Sequence, residues 1–561
     1  MIFLQANNDP NVVAERFLDG LQRGQYQLGL DKLKELDATV TMVLAFVRNR
    51  MNNHASINAL PPELLALIFQ YNLPPPDAYL QFDAKGTRVQ VWNEVKSRIT
   101  LTHVCRRWRA VALDLGCLWN LIDEGSSEAT SAFLARANTA PLQAHITYAA
   151  NRLVGVDLIP QSKNIRNLFL TISQNDRSTI PSGNPEFVFN APNVECLSLT
   201  TKCSPYDDRR PLIDLHSPCE LFSQGLPRLR RLMLRNMCWI PAAPYEQLTH
   251  LFITEGTSIP LVALLGFLGR CSALETLVLV DVYIASSSAV PHDHRVALPR
   301  LNRLTLGIGG ALLSMRRVLQ YVVLPPTATL RVMGSKAFHA LSHLQPFPEL
   351  AFTKGLDRLS VDFAPHAHAD AGGRTGNAGT GGVAIRASGS PSEGGAGPGL
   401  LLDFPTYRGT AQEAESLEQL MRSLIPFERL VEVRYRVCRG QKPLHLLGEG
   451  CMPALRVFRL VDVTQAGSAE EEEAARKALV DGVAQCLRGC SGLEQLEIWN
   501  RLAAHLQEGV GDGWQCQQPT LLGEAFLREH RTDGRVRTET CAPSMKIAGT
   551  EVDWVECPYE W

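Results

Sequence analysis

The chain has no surplus of either charge: 55 Lys and Arg stand against 57 Asp and Glu over 561 residues, a formal net charge of −2. A dedicated nucleic-acid binder needs a basic excess or a basic face to neutralise phosphates, so that class is set aside. Long hydrophobic runs are also missing. The greasiest stretches, around Val40–Val47 and Leu261–Leu268, fall far short of the roughly 20 residues a bilayer span needs. Met1–Pro10 lacks the basic segment and apolar core of a secretory leader. None of the 14 cysteines forms a Cys-x-x-Cys pair, and Cys105, Cys196, Cys271 and Cys486 sit inside apolar patterns. Reduced, buried thiols and a soluble protein of the cytoplasm or nucleus are therefore expected. No Gly-x-Ser-x-Gly elbow, His-Glu-x-x-His or zinc-spaced Cys set occurs. His292/His294 and His366/His368 are two-residue pairs without cysteine or carboxylate ligands at recognisable spacing. The expectation is a non-enzyme with no catalytic residue, cofactor, metal site or membrane contact.

What is present is an ordinary globular composition, 45% apolar and 20% charged, which can build a real core. Residues 1–56 read as a helical leader. Val12, Val13, Phe17 and Leu21, then Leu33, Leu36, Val40, Val43, Leu44 and Val47, fall at helical spacing. At Leu60-Pro61-Pro62-Glu63-Leu64-Leu65-Ala66-Leu67-Ile68-Phe69 a helix starts sharply, since proline is tolerated in a first turn and Glu63 suits the positive end of the dipole. Leu64, Leu67, Ile68 and Tyr71 make its stripe. A second helix is expected at Ile99–Leu113, with Arg106, Arg107 and Arg109 on the opposite face to Leu101, Val104, Cys105, Trp108 and Val111. Residues 72–98 open with Pro74-Pro75-Pro76 and read as an insertion with some helix at its end.

From about residue 161 to 500 the chain repeats itself, as apolar-x-x-apolar-x-apolar. Copies lie at Ile165/Leu168/Leu170, Val194/Leu197/Leu199, Leu229/Leu232/Leu234, Leu248/Leu251/Ile253, Leu274/Leu277/Leu279 and Leu301/Leu304/Leu306. The pattern returns at Leu356/Leu359/Val361, Leu430/Val433/Tyr435, Leu455/Phe458/Leu460 and Leu493/Leu496/Ile498. Starts lie 19 to 38 residues apart, save for gaps of 55 and 74. Leucine-rich repeats have periods of about 20–29 residues. A degenerate copy near Leu330-Arg331-Val332 fits the first gap. The second holds a Gly-rich stretch, about 365–400, expected to be a disordered insert because it offers little apolar area to offset its ordering entropy. Helices are expected at Ile259–Leu268 and after Ser468, where Ser468 and Glu471 have capping-box spacing. Units this small must stack to hide their apolar faces, which implies an irregular solenoid of short parallel strands and helices. Arg228, Arg230, Arg231 and Arg235 read as a solvated face or an acidic-partner patch. Residues 123–160 are a connecting segment, and 501–561, with Trp514, Trp554, Tyr559 and Trp561, a C-terminal cap or tail.

The stretch Leu60–Phe69, with Leu101-Thr102-His103-Val104-Cys105-Arg106-Arg107-Trp108-Arg109 and Leu118-Trp119, resembles an F-box over residues 57–122. Its form is that of fungal F-box-like proteins followed by leucine-rich repeats. The resemblance implies a mixed α/β chain, an all-α F-box followed by the repeat array. It implies an adaptor function: the box binds a Skp-type adaptor, the adaptor a cullin scaffold, and the repeats an unknown protein substrate of the ubiquitin ligase. The implied adaptor-binding residues are Leu60 and Pro61, Glu63, Leu64, Leu65, Ile68 and Phe69 on the first helix, and Val104, Cys105 and Trp108 on the later one. Periodicity alone does not separate those facing an adaptor from those packing the box. The alternative is a repeat-based interaction scaffold without ligase association.

Overall fold

The computed structural model describes residues 10–24, 26, 28–73, 87–123, 127–149, 161–173, 191–201, 225–237, 239–241, 245–256, 259–285, 295–308, 312–334, 350–365, 381–389, 397–404, 411–437, 452–462, 490, 493 and 495–500. They divide into two compact units, Met1–Asn120 with Ala132–Ala140, and Leu121–Ser131 with Pro141–Trp561.

The first unit is helical: α1 (Pro10–Gln22), α2 (Leu30–His54), α3 (Pro62–Tyr71), α4 (Thr87–Val104) and α5 (Arg106–Asp114), with 3-10 turns at Ser56–Ala59 and Gly116–Leu118. Residues 132–137 of α6 (Ser127–Ala137) also belong to it. The helix expected over Ile99–Leu113 is two helices. Cys105 between them is extended, φ −158° and ψ 170°, and its thiol accepts the Trp108 N–H at 3.4 Å, so it caps α5 and ends α4. The stretch expected to be an insertion is helical from Thr87 onward.

Leu65, Phe69, Ala112, Leu118 and Trp119 are sealed in this unit's core. The Trp119 indole meets the Phe133 ring edge-on at 5.0 Å and donates to the Ala112 carbonyl at 2.7 Å. At Gly116 the chain passes so near that a Cβ would stand 2.9 Å from the Ala137 carbonyl oxygen.

The second unit is built on one sheet. Its first strands are β1 (Leu121–Asp123), β2 (Leu142–Ala149), β3 (Ile165–Ser173), β4 (Cys196–Thr201), β5 (Arg231–Arg235) and β6 (His250–Thr254). The short β7 (Ile259–Pro260) precedes α7 (Leu261–Leu268); β8 (Thr276–Val280), β9 (Ile284–Ala285), β10 (Val296–Ala297) and β11 (Arg303–Ile308) follow. Then come α8 (Leu312–Tyr321), β12 (Val322–Val323), β13 (Thr329–Gly334), β14 (Arg358–Pro365), β15 (Gly381–Ser388) and β16 (Gly399–Phe404). Last are α9 (Ala411–Leu424), β17 (Glu432–Val437), β18 (Val457–Asp462) and β19 (Gln495–Asn500). The fifteen-stranded order is β1-β2-β3-β4-β5-β6-β8-β11-β13-β16-β15-β14-β17-β18-β19, and β7–β9 and β10–β12 are separate parallel pairs. Every pairing in the large sheet is parallel except β14–β15 and β15–β16.

The repeated motif explains the register. Its second apolar position runs across the sheet as one row: Leu168, Leu197, Leu232, Leu251, Leu277, Leu304 and Leu330, each paired with the next. Its third position makes a second row two residues on: Leu170, Leu199, Leu234, Ile253, Leu279, Leu306 and Val332. Side chains two apart share a face, so both rows point to one side, and all are buried. The degenerate copy expected at Leu330 is there, in β13.

The lead-in before four of the strands has a cause too. Amide-to-carbonyl bonds Leu229→Leu226 (3.1 Å), Leu301→Leu298 (3.1 Å), Leu455→Met452 (3.2 Å) and Val194→Ala191 (3.2 Å) close a four-residue turn before the strand. Pro227, Pro299, Pro453 and Pro192 occupy its second position, where a fixed φ near −65° is already the right one. Each turn begins on a buried apolar residue, so it is pinned from beneath. Of the helix expected at Ile259–Leu268, Leu261–Leu268 forms as α7, with Leu261, Leu264, Leu265, Phe267 and Leu268 buried, while Ile259–Pro260 is the strand β7.

Three expectations are corrected. The sheet begins at Leu121, so residues 123–160 are not merely a connection: β1 and β2 extend the same ladder. The Gly-rich stretch 365–400 is not wholly a disordered insert. Its residues 381–388 form β15, antiparallel to both neighbours, with Val383, Ile385 and Ala387 buried. Its three alternating apolar side chains are buried where the strand pairs with β14 on one side and β16 on the other. Arg235 is not solvated: it lies buried on β5 and pairs with Glu255 at 3.0 Å. The helix after Ser468, Cys486, both histidine pairs and the aromatic tail lie outside the described residues. Among the described residues, no helix is long and apolar enough to cross a membrane, and no cluster of three or more metal-ligating side chains occurs.

Candidate functional site

The expected site residues converge on α3, the loop before it and the start of α5. Pro61, at φ −54° and ψ 149°, is the extended residue from which α3 begins, and Glu63 occupies its first turn. The helix ends at Asn72, whose side-chain amide donates to the Ile68 carbonyl at 2.9 Å.

α3 has two faces. Leu65 and Phe69, four apart, are 0% exposed, and Phe69 packs against the Trp108 ring at 5.0 Å. On the other side Leu64, Leu67 and Tyr71, at spacings of three and four, are 45%, 46% and 88% exposed. Ile68 lies half-buried between the faces, and Pro61 and Glu63 are exposed. Such a helix holds its unit together with one stripe and presents the other.

Polar contacts fix the orientation of the presented face. The Trp108 indole N–H donates to the Asn58 side-chain oxygen at 2.8 Å, and the Asn58 amide donates to the Asn52 carbonyl at 2.7 Å. The Arg107 guanidinium donates to the Leu60 carbonyl, tying the loop before α3 to α5. At the far end, burial pushes the Cys117 thiol pKa up, against a hydrogen bond from the Gln70 side chain and the field of Arg98. Buried Arg98 donates to the Leu118 carbonyl at 3.3 Å and to Asn120 Oδ1 at 3.1 Å. The loop and α3 are thus clamped on α5 and the turn after it.

Of the ten expected site residues, Leu65 and Phe69 are core and present nothing to a partner. Trp108 and Cys105 are half-buried and structural: one packs on Phe69, the other caps α5. Leu60 is half-buried and held by Arg107. Pro61, Glu63, Leu64 and Val104 are exposed, with Ile68 at the boundary. Leu67 and Tyr71 are exposed members of the helical stripe that the expected site left out. Their signal was their spacing from Leu64. Asn58 carried no periodic signal at all.

Residues 57–124 match the F-box-like family. The F-box-like domain therefore coincides with α3, α4 and α5 and with the 3-10 turns at either end. It occupies a small part of the 561-residue chain, and no curated protein matches the chain.

Proposed function

We propose that this chain is the non-catalytic substrate-recognition subunit of a Skp-cullin-F-box ubiquitin ligase. Domains of the F-box type typically bind Skp-type adaptors, and one observation carries the reading here. An F-box-like helix turns Leu64, Leu67 and Tyr71 to solvent while its opposite side is locked by Phe69 and Trp108. A pre-ordered apolar stripe of this kind suits helix-in-groove recognition, in which a few buried anchors supply most of the affinity. The cullin would be reached through the adaptor, and ubiquitin transfer belongs to other subunits.

The second unit serves, in this reading, as an irregular leucine-rich-repeat solenoid that holds the client. Support comes from the two apolar rows and the recurrent proline turn, which repeat one strand unit along the sheet. The proposed place of action is the cytoplasm or nucleus.

Co-purification tests the reading. Wild-type chain should recover a Skp-type adaptor from its host, and Leu64→Asp with Leu67→Asp should abolish recovery without altering the melting temperature. Undiminished recovery by the double variant would refute it.

A further inference from the structure

We propose that α2 is a parallel self-association helix whose partner is α2 of a second copy of this chain. This goes beyond adaptor binding and does not rest on it. Leu33, Val40, Val43 and Val47 are all exposed, and Leu36 is half-buried. With Leu36 they alternate at spacings of three and four, the a and d positions of a heptad seam: Leu33, Val40 and Val47 at a, Leu36 and Val43 at d. A 25-residue helix carrying such a stripe toward water is poorly accounted for by packing within its own unit.

The flanking residues point to a second copy. In a parallel pair, a residue at g faces the e residue five positions on in its partner. That sets Lys32 of each copy opposite Asp37 of the other, twice by symmetry. The following g and e positions are Thr39 with Leu44 and Phe46 with Met51. Leu44, Phe46 and Met51 are all exposed, so the seam widens toward its C-terminal end with apolar flanks. An antiparallel pair would instead set Lys32 against Phe46 and Asp37 against Met51, a charge facing an apolar group in each case. The Arg50 guanidinium lies over the Phe46 ring at 5.5 Å, at the next d position, and closes the seam with a charge.

Light scattering on the full-length chain over a range of concentrations tests this. Wild type should show the mass of two chains, and Val40→Asp with Val43→Asp the mass of one. Lys32→Glu alone and Asp37→Lys alone should each weaken the dimer several-fold, by setting like charges opposite. Together they should restore it, because the pair is rebuilt with its signs exchanged. Helix content of the charge variants should match wild type, since both positions are exposed. A single-chain mass for wild type at every concentration overturns the proposal and is what a cover from within the same chain would give. A charge-swapped chain no tighter than the single variants overturns it equally.

Discussion

The Trp108 indole N–H donates to the Asn58 side chain across 50 residues of sequence, at 2.8 Å, and so joins α5 to the turn that precedes α3. Trp108 spends its ring on Phe69 and its one donor on Asn58, leaving α3 a single orientation. Replacing Asn58 with Ala strands that donor in a half-buried place, and a loss of about 1 kcal/mol in unfolding free energy is expected. Urea denaturation monitored by tryptophan fluorescence measures it.

The two faces of α3 should separate stability from binding. Phe69→Ala opens a cavity in the sealed core and should cost about 3–5 kcal/mol, the usual range for a buried phenylalanine. Leu67→Asp alters an exposed position and should leave stability within about 0.5 kcal/mol. If the presented stripe docks the adaptor, Leu67→Asp loses adaptor recovery at unchanged stability. Equal melting losses for the two variants would show that both faces are structural.

The sheet was more legible in the sequence than the site, for a physical reason. Strand register depends on a side-chain period of two and on turn chemistry, and both are written locally, as in Leu226-Pro227-Arg228-Leu229 before Leu232 and Leu234. The strand β15 was not legible, because Val383, Ile385 and Ala387 acquire their meaning only from neighbours at Val361 and Leu402. In α3 the stripe of Leu64, Leu67 and Tyr71 was visible as periodicity. Which of two apolar stripes faces inward was decided by Trp108 and Asn58, remote in sequence, and no single helix carries that information. Cys105 looked like one more apolar residue on a continuous helix. Its role as the cap that divides α4 from α5 depends on a backbone turn that composition does not encode.

Gly389 offers a sharp check on the Gly-rich region. It follows β15, donates its N–H to the Pro398 carbonyl at 2.9 Å, and is buried. A Cβ there would stand 2.1 Å from the Gly355 carbonyl oxygen and 2.7 Å from the Pro398 ring. The nearer obstacle is backbone and cannot swing away. Gly389→Ala should therefore destabilise the second unit by at least the roughly 1–3 kcal/mol typical of overpacking. Hydrogen exchange should show the loss in β14, β15 and β16. Wild-type protection in that variant would mean that the β15 strand is not formed as described.

His250 makes the sheet sensitive to pH in a definite direction. It begins β6, where burial, then the positive charges of Arg231 and Arg303, push its pKa below the ordinary 6.5; Glu275 pulls the other way. The Thr249 hydroxyl lies 3.0 Å from the Arg230 carbonyl oxygen and 2.8 Å from His250 Nδ1, within hydrogen-bond reach of both, and helps hold the ring in place. The unfolded chain takes up a proton near pH 6.5 and the folded chain only at lower pH, so the unfolded state binds more protons in between. The contribution of His250 is whole above about pH 6.5 and is lost as the pH falls through the depressed folded value. His250→Gln removes this titration. Its unfolding free energy, measured by urea titration at steps between pH 7.5 and 5, should decline less steeply than that of wild type. Parallel declines would mean that His250 titrates alike in both states and that the field of Arg231 and Arg303 does not reach it.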